Sequence, residues 1–94
     1  MHERSLVTAL VREVEAAARR CGARNVVRLK CAVSAQTGCS LERLREHFAQ
    51  AAHGTVADGA RLDLEVDDGT AGAIAPGLVL EELEVEEADG AGNA

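Results

Sequence analysis

The feature that most constrains this fold is a change in the spacing of apolar residues along the chain. From Glu3 to Cys21 they recur every three or four positions, and from Asn25 to Ser34 every second position. The first spacing predicts an amphipathic helix and the second a strand with one buried face.

The residues at the ends and on the apolar face of the first helix are well defined. Glu3 lies where a carboxylate favours a helix N-terminus, and Gly22 is placed as a left-handed cap. The buried stripe is predicted to contain Leu6, Val7, Leu10, Val11, Val14, Ala17, Ala18 and Cys21. The strand that follows is predicted to bury Val27, Leu29, Cys31 and Val33 and to expose Arg28 and Lys30.

A second helix is predicted to begin after Ser40 and to end before Gly54. Cys39 and Leu44 have the spacing of a hydrophobic staple. The predicted buried stripe is Leu41, Leu44, Phe48 and Ala51, with His47 and His53 exposed to solvent.

Two further strands are predicted from alternating segments. Residues 61 to 66 would turn Leu62, Leu64 and Val66 inward, and residues 78 to 87 would do the same with Leu83 and Val85. The adjacent Glu81 and Glu82 break the alternation and predict a slipped register or a bulge.

The order α-β-α-β-β predicts an α+β fold with two helices on one face of a small three-stranded sheet. Pairing of opposite charges favours the basic strand between the two acidic ones. We expect residues 1–87 to form one domain, with a loop at 67–77 and a disordered tail at 88–94. The last strand either pairs within this sheet or is exchanged in a homodimer.

Composition limits the function. Residues 62 to 94 carry ten acidic and no basic side chains, and Phe48 is the single aromatic residue, so nucleic acid is not an expected partner. No run approaches the ~20 apolar residues of a membrane helix and no signal peptide is evident, so we expect a cytoplasmic protein without a membrane partner. No motif combines a nucleophile with a base, and we do not expect an enzyme.

Three cysteines without a C-x-x-C pair argue against a disulfide framework and a structural zinc site. Cys21 and Cys31 are predicted to be small core residues, and Cys39, in a loop, is the candidate for a reactive thiol.

The N-terminal Met1-His2 offers a metal three adjacent nitrogens: the amine, the His2 amide and the His2 imidazole Nδ1. They close a five- and a six-membered chelate ring, which suits Ni²⁺ in square-planar geometry and Cu²⁺ at least as well. A fourth ligand is not identified by this pattern. An exposed histidine in a frayed terminus is the alternative interpretation.

Several motifs together resemble the HypA/HybF family of hydrogenase nickel-incorporation proteins, over about residues 1 to 66 and 77 to 87. They are Met1-His2-Glu3 before a helix, Gly22-Ala23 before a strand, Gly38 before a helix, Gly54-Thr55, Ala57 to Leu62, and Gly77 before Leu83-Glu84-Val85-Glu86. The resemblance implies a nickel metallochaperone that delivers Ni²⁺, as transient cargo, to a [NiFe]-hydrogenase large-subunit precursor and works with a maturation GTPase. It also implies that His2 is the nickel ligand, aided by the Met1 amine and by the backbone or side chain of Glu3.

The sequence departs from the family in one place. Family members insert a zinc module with two C-x-x-C pairs between the second and third strands, where this chain has the cysteine-free segment 67–77, so no zinc is expected. Three functions therefore stay open: a nickel-binding maturation factor, an adapter or regulatory paralogue that delivers no metal, and an unrelated module.

Overall fold

The five predicted elements are all present and occur in the predicted order. The computed structural model describes residues 3–34, 38, 40–67 and 77–87, without the side chains of residues 3, 67 and 87. The elements are α1 (Glu3–Arg20), β1 (Ala23–Ser34), α2 (Leu41–Ala52), β2 (Arg61–Asp67) and β3 (Leu78–Glu87). The α+β fold class is confirmed.

The first helix and the first strand are joined by a tight turn at Cys21 and Gly22. Gly22 has φ 68°, and its N–H donates to the carbonyl of Arg19 at 3.2 Å, so it is the predicted left-handed cap. The prediction that Cys21 is a core residue is wrong, because α1 ends one residue earlier and leaves Cys21 exposed. Strand β1 starts at Ala23, so α1 runs back along it.

The second helix begins as predicted. The Ser40 hydroxyl accepts a hydrogen bond from the N–H of Arg43 at 3.2 Å, which satisfies one of the free donors of the first turn. The buried stripe consists of Leu44, Phe48 and Ala52, four residues apart, so the prediction of a buried Ala51 is wrong. Cys39 and its proposed staple lie outside the described residues.

The three strands form one mixed sheet in the order β2-β1-β3, which confirms the prediction that the basic strand is central. Strand β1 pairs with β2 in parallel and with β3 in antiparallel orientation. The predicted bulge in β3 is confirmed: Lys30 is opposite Glu82 and Cys31 is opposite Leu80, which leaves Glu81 as the extra residue. Strand β3 pairs with β1 of the same chain, and exchange of this strand in a homodimer stays an untested alternative.

A register shift in the first half of β1 explains one incorrect assignment. The pairing with β3 is irregular between Val26 and Arg28, which reverses the alternation at that point. Val26 is therefore buried, at 3% exposure, and Val27 is 48% exposed, where the opposite was predicted. Val66, predicted to face inward, is 58% exposed near the end of edge strand β2.

The core lies between the two helices and one face of the sheet. Its fully buried members include Leu6, Leu10 and Val14 of α1, Leu29, Cys31 and Val33 of β1, and Leu78 of β3. Leu83 and Val85 are partly buried against it. In the described part of the chain, no helix is long and apolar enough to cross a membrane.

Candidate metal centre and the groove beside it

Of the three predicted metal ligands, only Glu3 belongs to α1. Met1 and His2 are outside the described residues, and Glu3 is described by its backbone as the first residue of the helix. The first four N–H groups of a helix have no intrahelical acceptor. The Glu3 nitrogen is therefore not engaged in a helical hydrogen bond, although the ligand set itself stays a prediction.

The topology shows at which end of the domain α1 begins. Helix α1 runs antiparallel to β1, and α2 is the crossover between the parallel strands β1 and β2, so it also runs antiparallel to β1. Both helix N-termini therefore point to the same end of the domain, where β1 ends at Ser34 and β2 ends at Asp67.

Two adjoining surface depressions lie next to the first turns of α1. The first, of about 230 Å³, is lined from α1 by Arg4, Val7 and Thr8 and from α2 by His47, Gln50 and Ala51. The second continues along α1 and is lined by Arg4, Ser5, Thr8, Ala9 and Arg12. We call the two together the arginine groove. His47, which the sequence predicted to be solvated, is half-buried in its wall.

The two arginines of the groove form no ion pair within the described part of the domain. Arg4 and Arg12 are exposed, and neither forms an ion pair with any side chain that the structure describes. Among the residues that the structure describes, no carboxylate lines either depression. The groove therefore presents two guanidinium groups, two hydroxyls and an amide to solvent.

On the face of the sheet that is away from the helices, Arg28 is surrounded by carboxylates. Its guanidinium donates to Asp63 at 2.8 Å, to Glu82 at 3.0 Å and to Glu84 at 3.1 Å. These hydrogen bonds raise the pKa of Arg28, and the bond to Asp63 is the main cause of a lowered pKa for that carboxyl. Lys30 adds a longer contact to Glu65, at 3.6 Å. Arg28 thus joins all three strands by charge-assisted hydrogen bonds.

Comparison with known proteins identifies the family. Residues 1–72 match the model of a family described as hydrogenase/urease nickel incorporation, metallochaperone, HypA. The chain belongs to the HypA family. A hydrogenase maturation factor HypA from Chlorobium limicola is 42% identical over 65 residues, which are 69% of this chain and 56% of the relative. The chain thus spans little more than half the length of that relative.

The fold agrees with the family assignment. The solution structure of the Ni metallochaperone HypA from Helicobacter pylori superposes with a TM-score of 0.76, covering 93% of this chain and 99% of the other. At 16% identity, this likeness concerns the fold. The resemblance stated from the motifs is therefore confirmed, and the reading as an unrelated module is excluded.

The positions of the cysteines and carboxylates show whether the described residues could bind a second metal in this HypA-family chain. Burial raises the pKa of the Cys31 thiol to about 12, helped by the nearby charge of Glu81, so the thiol form is favoured at neutral pH. Cys21 is exposed and lies apart at the end of α1, and Cys39 is outside the description. Among the described residues, no three His, Cys, Asp or Glu side chains are grouped to hold a metal. The expected lack of zinc stays a prediction.

The sequence reasoning missed the arginine groove, although a signal for it was present. Arg4, Thr8 and Arg12 are four residues apart and so lie on one side of a helix. The contribution of His47 from α2 could not be derived, since it depends on how the two helices pack.

Proposed function

We propose that this chain binds Ni²⁺ through its N-terminus and delivers it to a [NiFe]-hydrogenase large-subunit precursor, in cooperation with a maturation GTPase. Membership in the HypA family is the observation that carries the proposal, because the family is described by nickel incorporation and the matched range begins at Met1. The relative from Chlorobium limicola, named a hydrogenase maturation factor, supports the choice of client.

The proposed ligands are the Met1 amine, the amide and imidazole nitrogens of His2, and Glu3. The nitrogens of Met1 and His2 are consecutive along the chain, so the chelate rings close with little loss of conformational freedom, and Ni²⁺ favours such nitrogen donors. Since α1 begins at Glu3, the metal would be bound without unwinding the helix. Such a site suits transient cargo, because its ligands stay accessible to an acceptor.

A Ni²⁺ titration of untagged protein tests this proposal. His2→Ala should abolish tight binding, and so should a peptide extension before Met1, because each removes one of the three nitrogens. Binding should also weaken as the pH falls below about 8 and then about 6.5, the ordinary pKa values of an amine and an imidazole, since protons compete for the same lone pairs.

His53→Ala is the matched control for this titration. The His53 side chain is 84% exposed and lies after the end of α2, so its loss removes an imidazole without touching the N-terminus. Titrations of His2→Ala and of the extended protein that match the wild type would overturn the nickel site and leave the adapter function as the alternative. Equal losses for His2→Ala and His53→Ala would show that binding is non-specific.

A further inference from the structure

We propose that the arginine groove docks an acidic segment of a partner protein, in extended conformation, with two carboxylates spaced to reach Arg4 and Arg12. This inference goes beyond nickel binding, since it concerns side chains other than the proposed metal ligands. It is carried by the identity and spacing of the residues that line the groove and by the lack of a carboxylate among those that the structure describes.

The first step of the argument is electrostatic. Two guanidinium groups on one side of α1 repel each other weakly through solvent, and no described carboxylate relieves that repulsion. Arg19, Arg24, Arg43 and Arg45 also lack an ion pair among the described residues, so Arg4 and Arg12 are distinguished by lining one depression together. Arginine is also well suited to bind carboxylates at interfaces, because its planar fork donates two parallel hydrogen bonds.

The second step is geometric. Arg4 and Arg12 are eight residues apart on a helix, and at ~1.5 Å per residue this is about 12 Å. An extended chain advances ~3.3 Å per residue, so carboxylates at positions i and i+4 are about 13 Å apart. Thr8, between the two arginines, can donate a hydrogen bond to the backbone of such a segment.

The third step concerns the rest of the groove. Gln50 and His47 supply polar groups from α2, and Val7 and Ala51 supply an apolar floor between the helices. A protein segment would use this floor for an uncharged side chain between its two carboxylates. A second copy of this chain is a poorer occupant, because Glu82 and Glu84 of its acidic strand β3 are already bound to Arg28.

A designed peptide tests the proposal. The probe is a fluorescent, blocked peptide with glutamates at i and i+4 and small residues between them, and the matched peptide has glutamine at both positions. The glutamate peptide should bind at low ionic strength and weaken with added salt. Backbone amide shifts in NMR spectra should change at Arg4, Ser5, Thr8, Arg12, His47 and Gln50.

Charge-matched variants separate the groove from overall charge. Arg4→Gln and Arg12→Gln should each weaken peptide binding about two- to fivefold, the range for one exposed charge contact, and the double variant roughly tenfold. Arg19→Gln with Arg45→Gln removes the same charge from exposed arginines that line neither depression, and should leave affinity nearly unchanged. Unaltered melting temperatures would show that all variants are folded.

Several outcomes would overturn the proposal. The first is that the glutamate peptide does not bind. The second is that both double variants lose the same amount of peptide affinity. The third is that inorganic phosphate binds equally strongly at the same residues, which would indicate a small-anion site. Self-association that depends on Arg4 and Arg12, seen by light scattering, would instead assign the groove to a second copy. The nickel proposal is tested separately, since Arg12→Gln should retain nickel binding and His2→Ala should retain peptide binding.

Discussion

The arginines on the two faces of this domain are in opposite situations. On the open face of the sheet, Arg28 is bound by three carboxylates from both neighbouring strands. On the helical face, Arg4 and Arg12 line a groove and have no partner among the described side chains. The same residue type thus holds strands together in one place and is left available in the other.

An arginine that is paired within the domain contributes to folding, whereas an unpaired arginine is available for binding. The guanidinium of Arg28 is largely covered, with 28% of its side chain exposed, and its hydrogen bonds are all made within the domain. Those of Arg4 and Arg12 contribute nothing comparable to the folded state, so they are free to contribute to association. Stability measurements should therefore respond to the sheet face and binding measurements to the groove.

The largest effect should come from breaking the sheet on which this comparison rests. Leu29 is fully buried in central strand β1, next to Arg28 but on the other face. Leu29→Ala should cost ~2 to 5 kcal/mol, a large part of the ~5 to 15 kcal/mol that stabilises a small domain. Urea unfolding monitored by circular dichroism measures this change.

Val27→Ala is the control for that experiment. Val27 belongs to the same strand and is 48% exposed, so its truncation should change stability by less than about 1 kcal/mol. Similar losses for the two variants would mean that the register shift in β1 is placed incorrectly.

A smaller effect is expected from removing the paired arginine. Arg28→Ala should lower the melting temperature, because it leaves Asp63, Glu82 and Glu84 facing one another without their shared donor. Arg12→Ala should leave it nearly unchanged, since no described hydrogen bond or ion pair of a side chain is lost. Thermal unfolding of the two variants side by side sharpens the comparison, and an equal decrease would contradict it.

The smallest effect is a contribution to acid stability. The pKa of Asp63 is lowered from its ordinary 3.8, mainly by the hydrogen bond from Arg28. A carboxyl whose pKa is lower in the folded state than in the unfolded state stabilises the fold fully at a pH above its unfolded-state pKa. This stabilisation is lost as the pH falls through its folded-state pKa. Stability should therefore decline below about pH 4, and Asp63→Asn should show a shallower decline. Identical acid profiles would count against a stabilising role for the ionised Asp63.

Much of the fold could be predicted because local patterns and global packing agree. The helix caps at Gly22 and Ser40 depend on neighbouring residues alone, and the central position of β1 follows from its positive charge between acidic strands. The exposure of Val27 could not be predicted, since the shift that causes it depends on pairing with a strand more than fifty residues away. Ala51 and Ala52 were confused because small residues give a weak signal for the buried side of a helix.

The candidate site was predictable only in part. The chelating order of Met1 and His2 is a property of covalent sequence and needs no fold, whereas its fourth ligand depends on what lies near in space. The groove required the packing of α1 against α2, which brings Arg4 and His47 to one depression from positions more than forty residues apart. Sequence spacing within α1 provided only half of that surface.

The central position of β1 also has a consequence for the time course of folding. This strand is synthesised before both of its neighbours, and the partners of Arg28 follow 35, 54 and 56 residues later. Contacts between such distant positions require large loops to close, which slows folding compared with chains of local contacts. During synthesis α1 can cover part of β1 early, but the edge of β1 that pairs with β3 stays open until residues 78–87 have been made.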